Sequence, residues 1–426
     1  METPALAISR DDRRKRNETS LSHFIPHKPF QETIGKHVDE TRFLEIGKRL
    51  RIRETYLEKS FSKHWSNNVR LFTLLRMLGY HDGDQVFKKF EREEIGDFWL
   101  PLTDNVLEKF TSIVAFDLDA FLEGQLYVLS DSKLMDDQNL LAPFFKRQYK
   151  PGPRARTHRY LEYVDSHFTD LDHIAKGGSA QVLRVQHTLS SKEFACKRIS
   201  RKVPVAFQRN RLKLFEQEVK VLERIRHDHI VGLVASFTDL ENFSLILDPI
   251  ADGVLLGLLE VQPLSGEDIA TLLCSFNCLA TALEFLHTNS VRHKDIKPSN
   301  ILLSNGRILL CDFGISLEWT ESENGTTEGV HLSGTRRYAA PEVFRSDASR
   351  NSKTDIWSLG CVFMEIISAI KGFQTEKIDV GESEEGGLSS KEMAEWLGIL
   401  KDEQHDGAIN NLPIYWTLAM TILKSV

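Results

Sequence analysis

Two polar clusters constrain this chain more than any other feature in it. The first is His293-Lys-Asp-Ile-Lys-Pro-Ser-Asn300; the second is Asp312-Phe-Gly314, whose Asp lies twelve residues past Asn300. In the first cluster Asp295 is followed two residues on by Lys297 and five on by Asn300, so one short loop carries a carboxylate, an ammonium and an amide. The carboxylate can take a hydroxyl proton, the ammonium can steady a moving phosphoryl group, and the amide oxygen can bind a metal. The apolar run Arg307-Ile-Leu-Leu-Cys311 reads as a strand that delivers Asp312 at its end, where carboxylate oxygens suit a hard divalent cation. Pro-Ser-Asn alone reads as a turn, and Asp-Phe-Gly alone is common; the joint spacing is what is specific.

Upstream lie weaker parts of an ordered series. Ile174-Ala-Lys-Gly-Gly-Ser-Ala-Gln-Val182 sits between two strand-like runs. Its glycines allow backbone N–H groups to approach phosphates closely, although Gly177-Gly178 also suits a plain hairpin turn. Phe-Ala-Cys-Lys197 then ends an apolar strand on a lysine, and Glu218 flanks the stripe Val219, Leu222 and Ile225 of a helix expected over Phe215–Ile225. A Lys197–Glu218 ion pair would hold the lysine toward α- and β-phosphates.

Composition limits the alternatives. The chain has 426 residues, 41% apolar and 27% charged, which excludes a collagen-like or wholly disordered polymer. A net charge of −7 argues against a broad basic nucleic-acid surface. The five cysteines are odd in number, all at or beyond Cys196 and without a CxxC pair, so they read as reduced thiols of a cytoplasmic or nuclear protein. Cys274 and Cys278 share a helical face but have no metal-ligand partners nearby in sequence. The N-terminus lacks the apolar core of a signal peptide, and Arg13-Arg14-Lys15-Arg16 reads either as a solvated tail or as an import signal. The longest apolar stretch, Trp357–Ile370, is too short to span a membrane and carries Glu365. Apolar residues recur at helical spacing over Thr41–Tyr80, and shorter helical runs follow to about Gln148. A basic, Pro/Gly-containing linker comes next, then short β-rich runs from Phe168, then mostly helices. The acidic stretch Lys377–Ser390 reads as a loop.

Gly334-Thr-Arg-Arg-Tyr-Ala-Ala-Pro-Glu342 and Asp355-Ile-Trp-Ser-Leu-Gly360 complete the series. From about residue 168 onward the chain resembles the eukaryotic protein kinases, in motif order and in spacing. Lys297-Pro298 and Thr335 resemble the serine/threonine branch. The resemblance implies an α+β, two-lobed protein kinase fold, with a small β-rich lobe and a helical large lobe, preceded by a mostly α N-terminal module. The expected boundaries are a disordered tail over 1–20, the module over 21–148, a linker over 149–165 and the kinase domain over 166–426. The lobes divide near residue 250.

Carried over by position, the resemblance implies that Asp295 is the catalytic base, Lys297 contacts phosphate, and Lys197 pairs with Glu218. Asn300 and Asp312 would hold Mg2+. ATP would meet Ile174, Ala175, Lys176, Gly177, Gly178, Ser179 and Ala180 of the glycine-rich loop. Val182, Ala195 and Leu302 would sandwich the purine, with Leu247 as gatekeeper and Asp248 to Ile250 as the hinge. Leu222, His293 and Phe313 would form an internal apolar spine, and Asp355 would brace the catalytic loop. The implied partners are ATP and protein substrates, with no nucleic acid and no membrane, and a regulatory partner for the N-terminal module. That module weakly resembles segments preceding kinase domains in some filamentous-fungal proteins.

Several positions depart from the family pattern. Ala175 and Ala180 replace the first and third loop glycines, which predicts weaker nucleotide binding. Lys294 replaces an arginine that clamps a phosphorylated activation loop; lysine keeps the charge but loses the bidentate fork. Thr320, Ser322, Thr326, Thr327 and Ser333 are candidate modification sites in that loop, and Val254 stands near a ribose-binding position. No Arg follows Arg350 to pair with Glu342, so the C-terminus reads as truncated or diverged and the large lobe as less stable than usual. A catalytically inactive kinase-fold scaffold is the alternative reading.

Overall fold

In a computed structural model the described residues are 38, 40–56, 64–81, 84–113, 116–129, 158–161, 167–177, 180–314, 317–318, 336–344, 352–373, 395–396 and 398. They fall into two units, one of residues 1–212 with 234–245 and one of 213–233 with 246–426.

The first unit joins helices to a sheet. Its helices are α1 (Glu40–Tyr56), α2 (His64–Asn67), α3 (Val69–Met77), α4 (Gln85–Arg92), α5 (Asp104–Leu107) and α6 (Leu118–Gln125). Aromatic rings fill their core: Trp65 meets Phe87 edge-on at 4.7 Å, and Phe90 stacks on Phe110 at 4.2 Å. A buried carboxylate organises the centre. Asp97 Oδ2 and Oδ1 accept the backbone N–H groups of Arg70 and Leu71 at the start of α3, at 3.1 and 2.9 Å. These are two of the donors that a helix N-terminus leaves unsatisfied. Asn68 Oδ1 in turn accepts the Asp97 N–H at 2.8 Å. A Cβ on Gly96 would run into Asn68 Oδ1, so a side chain there would displace the amide that accepts the Asp97 N–H.

The sheet has six strands in the order β1-β5-β6-β4-β3-β2: β1 (His158–Tyr160), β2 (Phe168–Lys176), β3 (Ala180–His187), β4 (Glu193–Ser200), β5 (Gly232–Thr238) and β6 (Asn242–Asp248). The strand runs expected from sequence appear, in segments that carry Val, Ile, Thr or Phe. One does not match. Residues 158–160 lie in the stretch expected to be linker, yet they form β1, parallel to β5 with His158 opposite Ser236 and Tyr160 opposite Thr238. Three residues between basic, Pro-rich and polar neighbours are too few to show periodicity. The pairing is held instead by side chains: the His158 ring lies 2.9 Å from Ser236 Oγ and 3.1 Å from Thr238 Oγ1, and Arg70 packs over the Tyr160 ring at 4.6 Å.

α7 (Val205–Arg224) begins in the first unit and ends in the second, and it starts ten residues before the helix expected from Phe215. The second unit also holds α8 (Leu255–Leu259), α9 (Gly266–Thr288) and α10 (Lys353–Ile370), with the short strands β7 (Gly253–Val254), β8 (Val291–Arg292), β9 (Ile301–Ser304), β10 (Arg307–Leu310) and β11 (Leu317–Glu318). α10 is buried almost throughout. α9 opens on a capping box between Ser265 and Asp268 and sets Phe276 against Phe363 of α10 at 4.6 Å. By length and composition α9, not Trp357–Ile370, is the one described helix apolar enough to cross a membrane. Its buried stripe of Leu272, Phe276, Leu279 and Leu283 marks it as a core helix. All five cysteines are free.

Replacing Asp97 by Ala should lower stability by about 2 kcal/mol, because two buried helix donors lose their acceptor. Urea unfolding followed by the fluorescence of buried Trp65 and Trp99 measures it, and Asp97→Asn should lose less.

Candidate active site

The loop after β8 is built around one buried carboxylate of α10. Asp355 accepts the backbone N–H of His293 through Oδ2 and that of Lys294 through Oδ1, both at 2.8 Å, and the His287 Nε2–H through Oδ2 at 3.1 Å. Burial pushes its carboxyl up, but the hydrogen bond and charge of His287, the His293 ring and the Lys294 N–H outweigh this and hold it below the ordinary carboxylate value. Lys294 is thereby fixed at φ 68°, a strained setting for a residue with a Cβ. His287 was not singled out from the sequence. Its only signal is its place in the last turn of a helix, where a His commonly caps carbonyls.

His293 is fully buried and its ring is satisfied on both sides. Nε2 lies 3.0 Å from the Cys311 carbonyl, and Nδ1 accepts the Asp295 N–H at 3.3 Å. That network assigns the neutral tautomer with the proton on Nε2. The ring also meets Phe313 at 4.8 Å, which joins the catalytic loop to Asp312-Phe-Gly.

Asp295, Lys297 and Asn300 converge. Asn300 Nδ2 donates to the Asp295 carbonyl and to its Oδ2, each at 2.9 Å, and Lys297 Nζ lies 2.8 Å from the same Oδ2. Pro298 starts the 3-10 turn that carries Asn300 back under the loop. Asp295 Oδ1 accepts no hydrogen bond from any described residue. With its amide nitrogen engaged, Asn300 has its carbonyl oxygen left as a ligand.

Asp312 has φ 66°, a second left-handed non-glycine setting at the site. A Cβ built on Gly314 would lie 3.5 Å from both Asp312 Oδ1 and Glu218 Oε2. The Glu218 carboxylate, on a residue only 2% exposed, is therefore turned toward Asp312-Phe-Gly. The other predicted spine residues, Leu222 and Phe313, are buried in the same unit.

The nucleotide-side residues divide between the units. Lys197 is on β4 opposite Val182, half-buried, with Ala195 two residues before it. Ile174, Ala175 and Lys176 are exposed on β2. Gly178 and Ser179 lie outside the described residues. The Gly177 N–H donates to the Ala180 carbonyl at 2.8 Å and closes the hairpin. Ala175 pairs with Val182 and Ala180 with Ile199, and neither has positive φ, so both alanines sit unstrained in the ladder. Leu247, Asp248 and Ile250 lie at and just after the end of β6, and Leu302 lies on β9 opposite Val254. Thr335, the five candidate modification sites, the Glu342 side chain and the loop expected at 377–390 lie outside the described residues. Near Glu342, a different pair is present: Glu365 of α10 accepts from Arg337 Nε at 3.0 Å and from the Tyr338 hydroxyl at 3.1 Å.

Residues 168–402 match the profile of the protein kinase domain. This chain belongs to the protein kinase family. It is 31% identical over 244 residues to the serine/threonine-protein kinase Sgk1 of Xenopus tropicalis, covering 57% of this chain and 56% of that one. It is 33% identical over 214 residues to the serine/threonine-protein kinase SCH9 of Candida albicans, covering 50% and 26%. Serine/threonine-protein kinase 32C of Mus musculus is 30% identical over 223 residues, covering 51% and 44%. The chain thus spans about half the length of the curated relatives it first matches. In this kinase domain the loop at His293–Lys294 hangs from Asp355 by two main-chain bonds.

The depressed Asp355 carboxyl contributes stability above its unfolded value, about 3.9, that is lost as pH falls through the lower folded one. Asp355→Asn should therefore destabilise the second unit by about 3 kcal/mol at pH 7. Thermal melting of both proteins from pH 7 to pH 3 should show the difference shrinking as Asp355 becomes protonated.

Proposed function

We propose that this chain is a serine/threonine protein kinase that moves the γ-phosphoryl group of ATP to Ser or Thr hydroxyls of protein substrates. The single observation that carries the reading is the half-anchored Asp295. Lys297 and Asn300 fix its Oδ2, which orients the carboxylate while leaving Oδ1 to accept a hydroxyl hydrogen bond and then the proton. Lys297 is two residues from the base, so its ammonium can meet the phosphoryl oxygens as charge moves onto them. The names of the relatives and Lys297-Pro298 favour a Ser or Thr hydroxyl as acceptor.

Mg2+ fits the oxygens available. Asn300 offers a carbonyl oxygen and Asp312 a carboxylate, and no group of three or more His, Cys, Asp or Glu among the described residues could hold a metal without other ligands. Two protein oxygens, completed by phosphate and water, suit this ion. When bound it would offset the charge of the phosphates. Within the first unit, the hairpin at Gly177 and the Lys197 ammonium would contact the phosphates.

The two loop alanines weigh less against activity than their sequence positions suggest, because neither occupies a backbone setting that requires glycine. A regulatory partner for the helical module, kinship of that module with fungal kinases, and a cytoplasmic or nuclear location belong to the same reading. The net charge of −7 gives no support to a nucleic-acid substrate.

The test is transfer of labelled phosphate from Mg-ATP to a generic basic protein, followed by phosphoamino-acid analysis. Wild type should label Ser or Thr, and Asp295→Asn should lose about 10²- to 10⁴-fold in rate. Absence of transfer by folded wild type would overturn the reading in favour of the scaffold.

A further inference from the structure

We propose that the stretch Glu93–Pro101 is a built-in clamp on the two elements that carry Lys197 and Glu218, with Arg201 and Arg209 as positioning residues for phosphoryl transfer. The proposal rests on the phosphotransfer reading for what those two side chains do. The clamp itself rests on contacts within the first unit.

Arg201 follows β4 directly, four residues beyond Lys197, and is 4% exposed. Its NH2 donates to the Trp99 carbonyl at 2.8 Å and to the Pro101 carbonyl at 2.9 Å, and its NH1 donates to the Asp239 carbonyl. The guanidinium also lies over the Phe243 ring at 5.0 Å. Burial lowers its pKa to about 10 against the opposing charge of Asp239, so it stays a cation at neutral pH. Three carbonyls from two separate segments converge on one planar fork, a geometry that a lysine cannot reproduce.

Arg209 lies in the second turn of α7, nine residues before Glu218. Its NH2 donates to the Glu93 carbonyl at 2.7 Å and to Glu93 Oε2 at 3.2 Å. Glu93 also faces Lys89 at 3.0 Å and Lys109 at 3.6 Å. The Lys89 hydrogen bond first, then the charges of Lys89, Lys109 and Arg209, hold its carboxyl below the ordinary value despite some desolvation. Arg211 of the same helix donates to the Ser200 carbonyl at 2.7 Å, tying the start of α7 to the end of β4.

The segment that grips both arginines is itself rigid. Glu94 is left-handed at φ 51°, Asp97 is bonded to α3 as described above, and Trp99 and Leu100 are buried. A strand and a helix transmit such fixing well: α7 is continuous, and nine residues of helix span about 13.5 Å as a single rod. Arg201 grips the strand four residues from Lys197, and Arg209 grips the same continuous helix that carries Glu218. The Arg209 side chain is 40% exposed, so its ion pair adds little to overall stability and its removal leaves a folded protein.

The experiment uses the full chain and two readouts. Amide hydrogen exchange is measured over residues 213–224, and initial rates of phosphate transfer are measured beside it, for wild type, Arg209→Ala, Glu93→Gln and the double variant. Each single variant should speed exchange in 213–224 about fivefold and lower kcat about tenfold with an unchanged melting temperature, and the double should be no worse than the more damaged single. Arg209→Lys should recover part of the loss. Arg201→Lys should speed exchange over 193–200 in the same way. Unchanged exchange over 213–224 in both singles, or a double variant that loses the product of the two single effects, would overturn the clamp. If wild type transfers no phosphate, the exchange readout still decides the clamp, and it is the phosphotransfer reading that fails.

Discussion

The Asp355 carboxylate is the contact on which the second unit's chemistry depends. The loop that brings Asp295, Lys297 and Asn300 together is not stabilised by regular secondary structure, because its main chain bends. At Lys294 it bends into a left-handed conformation that costs of order 1 kcal/mol or more. Two main-chain bonds to a carboxylate fixed in the most buried helix of the unit offset that strain. The carboxylate is held below its ordinary value by His287, the penultimate residue of α9, among others. The two long helices of the unit thus meet the loop at one point, and His293 passes the constraint on to Phe313.

The first unit solves a different problem. A small sheet with an open edge would present unpaired main-chain groups to solvent and to other chains. Here β1 covers the β5 edge, and Tyr160 seats the strand under Arg70 of the helical region. The helices and the sheet therefore share buried polar contacts, of which the carbonyl cage around Arg201 is the most demanding. A buried guanidinium stripped of its acceptors would be far more costly than a lost surface ion pair. The helices at 40–129 consequently fold as part of the same body as β2 to β4, although composition at 149–165 suggests a hinge between them.

Legibility differed between these two halves for a physical reason. The catalytic loop was readable because its chemistry fixes residue types at fixed short spacings, as in Asp295, Lys297, Asn300 and Asp312. The strands from Phe168 to Leu247 were readable because runs of five or more residues rich in β-forming types carry them. β1 was not, since three residues carry no period, and its His158 and Tyr160 are buried through hydroxyl and cation contacts that lie 70 or more residues away. Arg201 and Arg209 belong to no motif in the sequence. Nothing local distinguishes an arginine that reaches carbonyls a hundred residues upstream from one in water. His287 was silent for the same reason.

The loop alanines can be set beside the backbone geometry of their own strands. A glycine in a pattern signals a need only if the backbone there is left-handed or if another group comes too close for a Cβ. Ala175 and Ala180 meet neither condition on their own strands, whereas Gly96, which belongs to no motif, meets the second against Asn68. Gly96 thus shapes the Asp97 turn, within the segment that holds Arg201 and Arg209.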